Sequence, residues 1–195
     1  MMKQSLILLV ALFASCASAP SNPVALGDQI IADLDAGLLS QAENKFEAVA
    51  NDAKWRESLY PRFFAEARER YESGDFEGAS VVLRFSVDQY SQASAMREAL
   101  LYSLFQLRAH EEHPDAALVQ ELELVAQDLL DSGGPSLWTD LIAAQTAIDL
   151  GQTGRARNHY QRFVANWNGE PAELVTYVHD LGRYLNNPPS LGEEN

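Results

Sequence analysis

Four stretches of the chain place an apolar residue at every fourth position, and the stretches recur at a nearly constant interval. Aligned on one small or aliphatic residue, Ala42, Ala79, Leu118 and Ala156, they lie 37, 39 and 38 residues apart. Four residues on stand Phe46, Leu83, Leu122 and Tyr160, and four further on Ala50, Val87, Ala126 and Val164. An i, i+4, i+8 stripe is one face of a helix, so the pattern predicts the same buried face four times. Five residues ahead of the anchor come Gly37, Gly74, His113 and Gly151. Glycine there reads as the turn that ends one helix and opens the next.

The pattern predicts helices in antiparallel pairs: 25–36 with 40–51, 57–73 with 76–90, 95–110 with 114–131, and 136–149 with 153–167. A ninth, 171–186, has an apolar stripe of Leu174, Val178, Leu181 and Leu185 that would cover the open face of the fourth pair. Gly133, Gly134 and Pro135 break the sixth helix, Ser136 is placed to cap the seventh, and Gly169 with Pro171 repeats that logic before the ninth. The fold class expected is all-α. At 195 residues and 47% hydrophobic content, the chain is sized for a single core, so one repeat domain over 26–187 is expected.

Residues 74–85, GDFEGASVVLRF, resemble the turn and second helix of a tetratricopeptide repeat, Gly-Asp-Tyr-x-x-Ala-x-x-x-Tyr. Residues 151–164, GQTGRARNHYQRFV, are similar, as are residues 37–50, GLLSQAENKFEAVA, in which Leu39 stands where the second unit has Phe76. The third unit departs, with His113 and Pro114 in place of the glycine turn and Leu118 in place of the small Ala. The interval exceeds the family's repeat of about 34 residues. The resemblance covers roughly residues 26–167. It implies a solenoid of about four helical hairpins plus a C-terminal capping helix, with a groove lined by the first helix of each pair. By register the implied groove residues are Phe64, Arg68 and Tyr71, then Ser103, Leu107 and His110, then Trp138, Leu141 and Gln145. Aromatic and Arg side chains are the types enriched at binding hot spots, and an extended or helical peptide is the implied ligand. Phe64, Leu107 and Leu141 read equally well as packing between helices.

The N-terminus adds a location. Lys3 precedes an apolar stretch at 5–14, SLILLVALFA, too short to cross a bilayer as a helix, and small residues follow: a secretory signal over residues 1–15. The single cysteine, Cys16, follows Phe13-Ala14-Ser15, similar to the bacterial lipobox, with Phe13 where Leu is usual. The resemblance implies lipidation of Cys16, and Ala17 rather than Asp after it implies outer-membrane sorting. The alternative is ordinary signal cleavage after Ala19 and a soluble periplasmic protein. Residues 17–25, ASAPSNPVA, read as a flexible tether and residues 188–195 as a disordered tail. With one cysteine no internal disulfide forms, and packing alone must hold the fold.

Without residues 1–15 the chain has 13 basic against 28 acidic groups, a net charge near -15. That excludes nucleic acid and opposes attachment to anionic head groups through basic side chains, while an acyl anchor is unaffected. A basic partner would suit the charge, as would a role in solubility alone.

Chemistry is sparse. His110-Glu111-Glu112-His113 spaces its histidines i, i+3, where the zinc-protease signature needs i, i+4, so no metal site is expected. His159 and His179 stand alone on helices and read as surface or partly packed residues. Glu121 and Glu123 fall on different sides of one helix. No phosphate loop, nucleophile elbow or Cys-His arrangement occurs, and no cofactor or catalytic residue is nominated. The sequence is read as a non-enzymatic, membrane-anchored scaffold or adaptor of the bacterial envelope that binds a protein or peptide partner. A soluble periplasmic binding module and an accessory subunit of an envelope enzyme complex are the alternatives.

Overall fold

A computed structural model describes residues 22–111, 114–132 and 136–186. The expected signal over residues 1–15, Cys16, the expected tail, His113 and the expected helix break at Gly133–Pro135 lie outside the described residues. The described chain is all-helical: α1 (Pro23–Asp35), α2 (Leu39–Glu47), α3 (Ala53–Ser73), α4 (Phe76–Gln89), α5 (Ser94–Ala109), α6 (Ala116–Asp131), α7 (Leu137–Asp149), α8 (Thr153–Asn166) and, after a short 3₁₀ turn, α9 (Val175–Asn186).

Three joints between paired helices are built the same way. At Gly37, Gly74 and Gly151 the backbone is left-handed, with φ of 70°, 84° and 71°. Each glycine N–H reaches the carbonyl three residues back, on Leu34, Tyr71 and Ile148. The next N–H reaches five back, Leu38 to Asp33, Asp75 to Arg70 and Gln152 to Ala147. These bonds satisfy the last carbonyls of one helix while turning the chain straight into the next. The third joint has no glycine: α5 ends at His110 in a right-handed conformation.

Capping side chains support three starts, those of α1, α3 and α4. Asn22 accepts from the Ala25 N–H, Asp52 from those of Lys54 and Trp55, and Asp75 from that of Gly78. The Asp52 cap starts α3 four residues earlier than the apolar pattern indicates. The preceding helix stops correspondingly at Glu47, and residues 48–52 follow in tight i→i−3 turns. Ser136 occupies the cap position of α7 without making a side-chain cap bond, and its hydroxyl lies 2.9 Å from the Tyr102 hydroxyl.

Successive first helices of the pairs touch, α1 on α3, α3 on α5 and α5 on α7, and α4 and α6 also pack on the helix that opens the next pair. Ion pairs link the second helices. Glu121 on α6 takes Arg84 from α4, and Glu123, on the other side of α6, takes Arg155 from α8. The interior forms two clusters. The larger runs from α1 to α7 around Ile30, Phe46, Phe63, Leu83, Phe85 and Leu104, with Phe46 and Phe63 both edge-on to Phe85. The smaller joins α7, α8 and α9 through Leu141, Ala147, Ala156, Phe163, Val178 and Leu185. Helix α7 serves both, giving Ile142 and Ala143 to the first and Leu141, Ala144 and Ala147 to the second.

Candidate functional site

Four of the nine groove residues read from the sequence converge on one pocket between α3 and α5. Phe64, Ala67, Arg68 and Tyr71 fall at i, i+3, i+4 and i+7, a single face of α3. Ala99, Tyr102 and Ser103 do the same on α5, and Leu83 of α4 is also in the lining. The cavity is about 110 Å³. Its fully buried members are Ala67, Leu83 and Ser103. The Ser103 hydroxyl donates to the Ala99 carbonyl at 3.0 Å, so its polarity is spent inside its own helix.

The walls are fixed by polar ties behind the apolar surface. The Tyr102 hydroxyl donates to the Glu98 carboxylate, which leaves the Ser136 hydroxyl to donate to the Tyr102 oxygen. Burial, reinforced by the bond to Glu98, pushes the Tyr102 phenol far above its ordinary range, so it stays neutral. Tyr71 packs edge-on to Phe76, with ring centroids 5.1 Å apart, and Phe76 lies 5.5 Å from the His110 ring. Arg68 alone among the lining residues is charged. Its side chain is 70% exposed, and among the described residues it makes one ion pair, with Glu72 one turn along at 3.4 Å, the longest arginine–carboxylate contact among them. The tyrosines and the arginine can orient a ligand, and among the described lining residues none is placed as a nucleophile beside a base.

The remaining groove residues are placed otherwise. Leu107 is half-buried against the larger cluster. His110 is exposed at the end of α5, its Nδ1 2.7 Å from the Gln106 carbonyl. Trp138 packs on Phe163 at 5.8 Å, and Leu141 is enclosed in the smaller cluster. Gln145 donates to Asp149 and accepts from the Tyr177 hydroxyl of α9 at 2.8 Å. Register reasoning missed Ala67, Leu83, Ala99 and Tyr102. Ala99 and Tyr102 share the α5 side of the pocket with Ser103, but which side of α5 meets α3 is set by the crossing of the two helices, which register alone does not give.

A second polar group, away from this pocket, is Asp140, His159 and Arg162. His159 is buried, its Nδ1 3.0 Å from Asp140 Oδ1 and 2.6 Å from Arg162 Nη2. Arg162 also donates to Asp140 from Nε and Nη2. A carboxylate only accepts and a guanidinium only donates, so Nδ1 can bond one of these two neighbours at a time, and which one depends on the tautomer. His179, in contrast, is exposed. No group of three or more His, Cys, Asp or Glu that could hold a metal occurs among the described residues, and no described helix is long and apolar enough to cross a membrane. Comparison with family models, curated proteins and solved structures gave no significant match.

Proposed function

We propose that this chain is a non-catalytic, lipid-anchored scaffold or adaptor of the bacterial envelope, built as a tetratricopeptide-like solenoid that binds a protein or peptide partner in the groove along its first helices. The observation that carries the reading is the pocket between α3 and α5, where Phe64, Arg68, Tyr71 and Ser103 meet. Two features support the repeat architecture: the identical glycine joints at Gly37, Gly74 and Gly151, and the stacking of α1, α3, α5 and α7 in order. Aromatic walls with an arginine at the rim are the side-chain types on which binding energy concentrates. The anchor rests on the lipobox-like sequence at Cys16, and acyl chains at about 0.8 kcal/mol per buried methylene would hold the domain at the membrane irrespective of its acidity.

The test is affinity capture from native membranes with a tag on the C-terminal tail, in wild type and in Ala99→Met, which fills the pocket from a half-buried position. The reading expects a specific envelope partner retained by wild type and lost by Ala99→Met with the far-UV CD spectrum unchanged. Equal capture by both would remove the pocket from the account. Intact mass of the purified chain decides the anchor: an acylated Cys16 supports it, and a chain beginning at Ala17 or Pro20 makes the protein a soluble periplasmic module instead.

A further inference from the structure

We infer that the pocket between α3 and α5 takes one aliphatic side chain from an extended partner segment, and that Arg68 takes the side-chain carboxylate of an acidic residue next to it. The inference rests on the groove reading above and adds the chemistry of the ligand. Size sets the first half. An apolar cavity of roughly 150 Å³ accommodates benzene, so the 110 Å³ here suits a Leu, Ile or Met side chain and is too small for an indole. The Tyr102 wall is held by Glu98 and Ser136, and Ala67 and Leu83 belong to the packed core, so the cavity does not widen cheaply.

Charge sets the second half. Most of the described arginines are held by hydrogen bonds: Arg70 grips Asp35 with two, Arg84 grips Glu121, Arg108 grips Asp149, and Arg157 caps the Leu185 carbonyl. Among the described residues Arg68 has only the exposed pair with Glu72, a class of contact worth a few tenths of a kcal/mol. A ligand carboxylate arriving beside the pocket therefore displaces Glu72 at little cost. That carboxylate is a side chain rather than a chain end, because chain ends are captured by nests of free backbone N–H groups. Around this pocket the lining comes from the sides of α3, α4 and α5, where the N–H groups are spent within the helices.

The experiment is a backbone-amide NMR titration of the full mature chain with four probes: acetyl-Leu-Glu-amide, acetyl-Leu-Gln-amide, acetyl-Ala-Glu-amide and N-acetyl-leucine. Expected is a saturable shift of the Ala67, Tyr71, Ala99 and Ser103 amides by the Leu-Glu probe, with Leu-Gln and Ala-Glu each about three- to tenfold weaker. Arg68→Gln should equalise the Leu-Glu and Leu-Gln probes while both still bind. Equal affinity of those two in wild type overturns the carboxylate assignment and leaves the groove reading standing. N-acetyl-leucine binding more tightly than Leu-Glu overturns it in favour of a chain end. Absence of any leucine-dependent shift at these amides overturns the inference and the pocket reading together.

Discussion

Gly182 and Gly154 both sit inside helices, and the structure gives substitutions at them opposite signs. A Cβ on Gly182 would collide with the Tyr160 hydroxyl and come within 2.8 Å of its Cζ, while that hydroxyl donates to the Val178 carbonyl at 3.1 Å. The tyrosine is held by α9 and cannot move aside without losing that bond. Gly182→Ala should therefore lower stability by about 1–3 kcal/mol, read as a lower urea midpoint at unchanged slope. Gly154 has ordinary helical geometry and open space around its Cβ position. Gly154→Ala should raise stability by about 0.4–1 kcal/mol, through better helix propensity and a stiffer unfolded chain. Gly74→Ala meets no neighbour within 4 Å, yet its φ of 84° should still make it cost about 1–2 kcal/mol. A thermal-shift series on the three variants separates steric from backbone effects, and Gly74→Ala as stable as wild type would contradict the joint described for that turn.

Between elements, Arg70 of α3 makes the bidentate tie to α1. It holds Asp35 bidentately across the helix interface and Glu66 one turn back on its own helix. The hydrogen bond from Arg70 is the main cause that lowers Asp35 from its ordinary 3.8. For Glu66, burial pushes upward most strongly, but the bonds from Arg70 and Arg62 together overcome it and lower it from 4.5. Both carboxyls thus bind protons less readily folded than unfolded. Their contribution is fully present above the ordinary values and is lost as pH falls through the lowered folded-state values. Arg70→Met should lower the urea midpoint at pH 7 by the equivalent of about 1 kcal/mol, with the gap from wild type closing below about pH 4. A gap independent of pH would assign the effect to packing of the Arg70 stem instead. At this scale the sequence was most legible. The 3.6-residue stripe through Ala79, Leu83 and Val87 and the glycine before it place α4 within one residue of its observed end. Boundaries set by single polar side chains were less legible: Asp52 draws the start of α3 forward, a local capping bond that no periodicity encodes. The pocket was half legible for a related reason. Helical register placed Phe64, Arg68 and Tyr71 on one face, but which face of α5 meets them depends on the crossing of α3 and α5, so Tyr102 was missed beside Ser103.

Among the described residues two clusters share only α7, and the first and last helices pack only on neighbouring elements. In a stack of that kind stability is local, so removing a terminal element weakens what it covers and little else. Truncation after Asn168 removes Val178, Leu181 and Leu185 from the smaller cluster. Hydrogen exchange should then speed up in α8 while α3 and α4 keep their protection. Uniform loss of protection along the chain would show that the two clusters unfold as one. The division also has an optical consequence. Trp55 lies against the larger cluster, whereas Trp138 and Trp167 sandwich Phe163 in the smaller one. Each half of the protein thus contains its own intrinsic fluorophore, and single-tryptophan variants would report, by emission wavelength alone, which end of the molecule a partner touches or a denaturant loosens first.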